Sequence, residues 1–395
     1  MNFLNLHEVP VCEETLQFRL KVLVLADDAH IANVVKDHIT SFPLNGCFEY
    51  VVVNPITEPV IRWLRFDAIL IHYSIYILGE YYLPPEWAKK VSRFSGLKVQ
   101  IIQDEYRNIN IMKEKMDYLG IKVVFSSLQP MNSKVVYEGR LLKNVQVYSC
   151  LPGYVPDSFY TLPAPPIVDR LLHVVYRGRE LLPFLGRQAQ EKKMIGEQVL
   201  AAAKHLGLSV DISSDESTRI YGDEWYSFLA RGRASLGVEG GASIFDFDGS
   251  IMERVLDYMQ KNPDAEFEEV WCALLQKFEG NIVHRTVTPR ILECIATKTA
   301  LVLYEGNYSG ILDPHRHYIP LKRDGSNMSE VGALLHNSDY LQKMTERAYS
   351  EVLVREDLSQ KFYVRKIEQV LQNQFIWKSR KLNFMRSIKK RICYE

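Results

Sequence analysis

Short apolar, β-branched runs alternate with helical stretches along most of this 395-residue chain, and that rhythm constrains the fold more than any other feature. Lys21-Val-Leu-Val-Leu-Ala26, Tyr50-Val-Val-Val-Asn54, Phe66–His72, Leu97–Ile102 and Ile121–Phe125 read as strands, and a helical pattern runs from Ile31 to Thr40. A strand covered on both faces reads as a continuous apolar run, the mark of a parallel sheet with crossover helices. The first half is therefore expected to be a doubly wound α/β domain.

The composition then shifts. Leu151-Pro-Gly-Tyr-Val-Pro156 and Leu162-Pro-Ala-Pro-Pro-Ile167 carry five prolines, which continue neither a helix nor a central strand. Beyond them the alternation resumes, with strands expected at Leu171–Tyr176, Leu208–Ile212, Ala234–Val238 and Ala300–Tyr304. Helices are expected at Arg187–His205, Asp223–Ala230, Ile251–Gln260, Phe267–Phe278 and from Pro289, and from Met328 onward the chain reads as mainly helical. The expected organisation is a Rossmann-like domain over 1–155, a Pro-rich linker over 156–168, a second Rossmann-like domain over 169–345 and C-terminal helices over 346–395. Two tandem doubly wound domains imply a ligand in the cleft between them, beyond the carboxyl ends of the strands.

Lys+Arg and Asp+Glu both number 48, and a net charge of zero argues against a chain whose main work is coating nucleic acid. No apolar run reaches the roughly 18 residues that span a bilayer, and the N-terminus lacks a basic and then apolar leader, so a cytoplasmic protein is expected. The six cysteines form no CxxC pair, which reads as reduced thiols, not a disulfide framework or a zinc site. Phe245-Asp-Phe-Asp-Gly249 lacks the oxygen-ligand run of a calcium hand, and no metal is expected. There is no Gly-x-Gly-x-x-Gly, Walker A, His-Glu-x-x-His or Gly-x-Ser-x-Gly sequence, which weakens dehydrogenase, NTPase, metalloprotease and hydrolase readings.

The most informative segment is Thr288-Pro-Arg-Ile-Leu-Glu-Cys-Ile-Ala-Thr-Lys-Thr-Ala-Leu-Val-Leu-Tyr304. Pro289 suits a first helical turn, whose free N–H groups and dipole favour an anion such as a diphosphate. Glu293, one turn further in, has the chemistry to accept hydrogen bonds from a ribose diol, or simply complements the helix start. With Gly306 and Ile311-Leu-Asp-Pro-His-Arg-His-Tyr-Ile-Pro-Leu321, this segment resembles the donor-binding half of glycosyltransferases with the B fold, of the group 1-like kind that builds bacterial polysaccharides and glycans. The close match covers Thr288–Leu321, and the two-domain layout extends it over most of the chain. The resemblance implies a glycosyltransferase with a nucleotide-sugar donor in the second domain and a glycan or lipid-linked acceptor in the first, with no cofactor. It gives Glu293 the part of the ribose-binding glutamate and sets Thr288 and Arg290 beside it as donor candidates. The alternatives are a nucleotide-sugar epimerase on the same fold and a non-catalytic sugar- or nucleotide-binding module.

The family's Glu-x7-Glu spacing is broken, because Arg285 stands eight residues before Glu293. Glu239-Gly240-Gly241-Ala-Ser243, at a strand end, resembles the opening of that motif, 46 residues further upstream than usual. Its plain alternative is a tight turn. After the first strand of the second domain, Tyr176-Arg177-Gly-Arg179 and Gly186-Arg187 supply planar cations suited to phosphate oxygens. Arg187 and Arg179 rank above Lys192, which is expected to point away on its helix. Tyr221 or Ile220 could flank a nucleobase, whereas Trp225 and Phe228 read as helix packing.

On the acceptor side, the strand-end clusters are Asp27-Asp28-Ala-His30, His72-Tyr73-Ser74, Gln103-Asp104-Glu105-Tyr106-Arg107 and Ser126-Ser127. A base needs hydrogen-bond reach of the acceptor hydroxyl, which makes Glu105, Asp104, His72 and His30 the catalytic candidates. His72 ends an apolar strand, so a satisfied core histidine is its main alternative. Residues 378–395 carry a net charge of +6, with Trp377, Phe384, Ile388 and Ile392 at helical spacing. Such a segment suits peripheral contact with an anionic membrane through 377–395, or packing back onto the first domain.

Overall fold

The computed structural model describes residues 2–10, 19–57 and 61–392, and for residues 2, 64 and 377–392 only the backbone. Its strands are β1 (Asn2–Asn5), β2 (Lys21–Leu25), β3 (Glu49–Val53), β4 (Ala68–Ile71), β5 (Leu97–Ile102), β6 (Val123–Ser126) and β7 (Gln146–Ser149). A second set comprises β8 (Leu172–Arg177), β9 (Val210–Ser213), β10 (Gly232–Gly237), β11 (Gly240–Ala242), β12 (His284–Thr286), β13 (Ala300–Tyr304) and β14 (Ile319–Leu321).

The first set forms a seven-stranded sheet in the order β1-β7-β6-β5-β4-β2-β3, parallel throughout. Five of the second set form another parallel sheet, β14-β13-β10-β8-β9, while β11 and β12 pair as a separate antiparallel ribbon. β4 and β13 are buried at every residue, as strands covered on both faces must be. Strand order reverses between β2 and β4 in the first sheet and between β8 and β10 in the second. At such switch points neighbouring crossovers leave in opposite directions, and a crevice opens beyond the strand ends.

The sequence did not announce β1, β7, β14 or the β11–β12 ribbon. Each has only three or four residues, and β14 contains Pro320, tolerated because that strand is an edge. The ribbon explains the long insertion. It pairs Gly241 with Arg285, so the chain returns beside the point it left. Gly241 has φ +110°, and a Cβ there would meet the His284 carbonyl oxygen at 2.0 Å, so only glycine fits.

Between the two ribbon strands, the insertion includes the helix Ser250–Lys261 and packs onto the first sheet's unit. Ile244, Phe245, Ile251 and Val255 share one apolar core with Ile109, Met112 and Met116 of the helix Ile109–Leu119. Its backbone bonds that unit as well: Asp246 N–H donates to Tyr106 O at 2.9 Å and Asn110 N–H to Phe247 O at 2.8 Å.

The chain crosses between the units twice, side by side. Val155 and Ser359 form a bridge, and Gln360 N–H donates to Val155 O at 2.9 Å. The helix Gln360–Ile392 then lays Tyr363, Val364, Ile367, Val370 and Leu371 into the core beneath the first sheet. Side chains from 377 onward, which carry the expected membrane contact, lie outside the described residues. No described helix is long and apolar enough to cross a membrane.

Candidate active site

Beyond the ends of β8 and β10 lies a cleft of about 330 Å³, lined in part by Arg179, Lys192, Arg290, Glu293, Trp225 and, from the first unit, Asn33. Asn33 Nδ2 donates to Gly222 O at 2.8 Å and ties the units together at the rim. Arg179, Lys192 and Arg290 make no ion pair with any described carboxylate. Burial, followed by the Arg290 charge, brings the Lys192 ammonium down to about 8; Asp104 across the cleft pulls it up and Arg179 pulls it down. Three cations in one crevice, none of them in an ion pair with a described carboxylate, suit polyvalent negative charge.

The helix Pro289–Ala296 starts at this cleft, with Thr288, Pro289 and Arg290 on its wall. Arg290 sits 5.1 Å from the ring centre of Tyr176 and 5.4 Å from that of Trp225, which holds its guanidinium in place. Glu293 is 7% exposed, and its Oε2 accepts from Trp225 Nε1 at 2.7 Å. Burial raises its pKa, opposed by that bond and by the Arg290 charge. Ile220 and Tyr221 complete the outer wall beside Arg219.

Other donor candidates fall elsewhere. Arg187 is corrected: its guanidinium grips Glu268 with two bonds, one of them 2.7 Å, and lies 3.9 Å from the Trp271 ring centre, on the insertion. Arg177 borders the cleft, but its guanidinium is committed to Asp211 at 2.7 Å, to Thr218 O at 3.0 Å and to the Phe228 ring. Gly240, Gly241 and Ser243 are structural. Gly240 and Gly241 build the ribbon, and the Ser243 hydroxyl accepts from Gln188 N–H at 3.2 Å at the start of the helix Arg187–Ala203.

Glu239 and Arg285 line an open neighbouring cavity of about 610 Å³ with Gly306, Arg323 and the first unit's Gln129. Arg285 donates to Glu191 at 3.0 Å and 3.2 Å and lies 3.6 Å from Glu239. Glu239 accepts from Tyr308 N–H at 2.9 Å. Burial would raise the Glu191 carboxyl, but Arg285 and Arg323 outweigh it and hold it below the ordinary value.

The first sheet brings the largest corrections. Glu105 does not face the cleft. It is fully buried, and its Oε1 accepts from the Ser126 hydroxyl and from Tyr137 OH at 2.9 Å, while Oε2 has no partner. Burial lifts its pKa to about 8 against those two bonds, which favours the protonated acid at neutral pH. His72 is also sealed in: its Nε2 meets His38 Nδ1 at 2.8 Å, and its Nδ1 accepts from Ser74 N–H at 3.0 Å. Burial, then His38, holds it well below the usual imidazole value. Neither group reaches an acceptor.

Asp104 and His30 do stand at an opening. Both line a cavity of about 260 Å³ at the β2/β4 switch point. Asp104 is exposed, and His30 Nδ1 accepts from Ala32 N–H at 3.1 Å, which places its own proton on Nε2.

Sequence reasoning passed over Lys192 and Trp225. Lys192 sits three, seven and eleven residues before Ile195, Val199 and Ala203, the buried stripe of its helix, and that register was the signal. Trp225 carries an N–H that needs a partner wherever the ring is half-buried.

No protein-family model matches the chain, and no curated protein matches its sequence. Solved structures do match in shape. An α-glucosyltransferase in complex with UDP-glucose and DNA containing an abasic site superposes with TM-score 0.52 at 11% identity, covering 90% of this chain and 100% of that one. An α-glucosyltransferase with UDP and a 13-mer DNA containing an HMU base gives 0.51 at 10% identity, and one with UDP alone 0.50 at 10%, each with the same coverage. The chain has the B fold of glycosyltransferases.

Proposed function

We propose that the protein is a glycosyltransferase that moves a sugar from a nucleotide sugar to an acceptor hydroxyl, with the donor over the second sheet and the acceptor over the first. The observation that carries this is the set of unpaired cations Arg179, Lys192 and Arg290, converging with a helix start and the carboxylate of Glu293 at the switch point of the second sheet. The diphosphate lies among the cations, the ribose diol meets Glu293 beside Trp225, and the base lies against Ile220 and Tyr221. The sugar then lies between Glu239 on one side and Asp104 and His30 on the other. As the bond to the diphosphate breaks, negative charge grows on the phosphate oxygens, and fixed cations in a partly dry cleft stabilise it without reorganising. Asp104 or His30 orients the acceptor hydroxyl or takes its proton.

The domain limits at 155 and 168 belong to this reading, with the acceptor-side unit before them and the donor-side unit after. So does an acceptor drawn from glycans or lipid-linked sugars. Two of the fold neighbours hold DNA, so a net charge of zero does not decide the acceptor. The fold neighbours compared above are glucosyltransferases, which favours transfer over the epimerase alternative.

The test is thermal melting of the full chain with nucleosides, nucleoside diphosphates and nucleotide sugars, followed by assay of sugar release or transfer. A ligand at 100 times its Kd should add about 2.7 kcal/mol of stability. Stabilisation by a diphosphate but not its nucleoside, with turnover of the matching nucleotide sugar, is expected. No stabilisation by any of them would end the proposal, and binding without turnover would leave a binding module.

A further inference from the structure

The cavity of about 260 Å³ beyond the ends of β2, β4 and β5 holds a cation that no described carboxylate pairs with. Arg107 lines it and makes no ion pair with a described carboxylate, not even with Asp104 in the same cavity. Its Nε is buried without a hydrogen-bond partner. Its guanidinium carbon lies 5.1 Å from the ring centre of Tyr76, which fixes the plane of the fork. Arginine offers two parallel N–H groups to a planar or tetrahedral oxyanion, and a buried N–H left unpaired is costly unless a ligand completes it.

The wall also supplies Tyr73, Tyr76 and Tyr82, whose rings suit the apolar faces of a sugar, and its volume accommodates one ring. The loop bearing Asp104 and Arg107 is held from outside. Asn108 has φ +54°, and the insertion pins its neighbours through the bonds of Asp246 to Tyr106 and to Ile109. A pinned loop keeps Arg107 in place before any ligand arrives, which reduces the ordering cost of binding.

We infer that this cavity binds an acceptor sugar carrying an anionic group, a carboxylate or a phosphate ester, which Arg107 recognises while Asp104 and His30 face the sugar's hydroxyls. This inference rests on the glycosyltransferase reading for the word acceptor, but the anion site itself does not need it.

The test uses the full chain and three probes: glucuronic acid, glucose 6-phosphate and glucose. Calorimetry without nucleotide should show at least one anionic probe binding about 10–100 fold more tightly than glucose. Arg107→Gln should erase that preference, and Arg107→Lys, which keeps the charge but loses the fork, should restore only part of it. The better of the two anionic probes tells carboxylate from phosphate. UDP affinity and melting temperature of each variant read the donor cleft and the fold separately. Equal binding of all three probes by the wild-type protein, or an unchanged preference in Arg107→Gln, overturns the inference. So does a parallel loss of UDP binding, since the effect would then be a collapse of the cleft. A wild-type protein that binds glucuronate through Arg107 but no nucleotide would end the glycosyltransferase reading and leave the anion site standing.

Discussion

Glu293 and Glu105 are both buried carboxylates close to the carboxyl ends of parallel strands, one in each half of the molecule. Glu293 gives one oxygen to the Trp225 indole and lines an open cleft beside Arg290. Glu105 gives one oxygen to two hydroxyls behind the strands and has nothing at the other. Position at a strand end does not make a site. The crevice opens where strand order reverses, which is β8/β10 for the first residue, whereas Glu105 sits on a loop whose Asp104 and Arg107 line the first unit's cavity while its own side chain turns away onto Ser126 and Tyr137. Charge separates the two residues as well, because Glu293 lies beside the Arg290 guanidinium, whereas Glu105 has no described cation beside it and burial raises its pKa.

The sharpest probe of that contrast is Lys192→Met. Loss of one fixed donor to developing phosphate charge should lower kcat by about 10²–10³ fold. Stability should move the other way. Lys192 has a folded pKa of about 8, below its ordinary 10.5, so its charged form is disfavoured in the folded state. That cost is full below pH 8 and fades as pH rises toward 10.5, because there the unfolded chain binds more protons. At pH 7 the unliganded variant should therefore gain about 1–3 kcal/mol. A slower and less stable variant would show that Lys192 is structural.

Glu293→Gln comes next. Removing one charge-assisted bond to the ribose should weaken nucleoside and nucleoside diphosphate alike by about 10–100 fold, or 1.5–3 kcal/mol. Unchanged affinity for both would leave Glu293 as a partner for Trp225 only, and would erase its difference from Glu105.

Arg179 and Arg187 extend the comparison within one half. Arg179→Ala should cost nucleoside diphosphate binding about tenfold and spare the free nucleoside. Arg187→Ala should leave both affinities unchanged and lower stability by less than about 1 kcal/mol, since it breaks a half-exposed pair with Glu268. Nucleotide titrations of the two variants decide it, and a larger diphosphate loss in Arg187→Ala would reverse the assignment.

These pairs also show what the sequence could tell. β2, β4 and β13 were legible because aliphatic residues run almost unbroken through them, and β3, β5 and β6 because Val, Ile, Leu or Phe dominate between a few polar residues such as Lys98 and Gln100. Glu293 was legible because Thr288, Pro289, Arg290 and Glu293 lie on one helix start, where spacing fixes geometry. The choice between Lys192 and Arg187 turns on helix phase. Residues five apart point about 140° away from each other, so at most one faces the cleft. Glu105 was out of reach, because its partners Ser126 and Tyr137 lie 21 and 32 residues further along the chain. Nothing local states which way a strand-end loop will fold. Lys192, Arg285 and Arg107 depend likewise on which carboxylates the fold withholds or brings near.

Glu105→Gln has the smallest expected effect and tests the other end of the contrast. Glutamine closely matches the shape of a protonated glutamate, keeps an oxygen for Ser126 and Tyr137, and places its amide N–H group where the acid carries its proton on Oε2. Transfer kcat and acceptor KM should match wild type, because the group is sealed from the cleft. The measurable change is in stability against pH. The folded pKa of Glu105, about 8, stands above the ordinary 4.5, so the folded state holds a proton that the unfolded chain releases. Its contribution is full below pH 4.5 and is lost as pH rises toward 8, by which point an uncompensated carboxylate begins to form in the core. Denaturant melts at pH 5, 7 and 8.5 should therefore show a smaller fall in stability with pH for Glu105→Gln than for wild type. A fall of equal size would mean that the carboxylate is already ionised and paired in the folded protein. A loss of kcat by 10² fold or more at unchanged stability would return Glu105 to the cleft as a base.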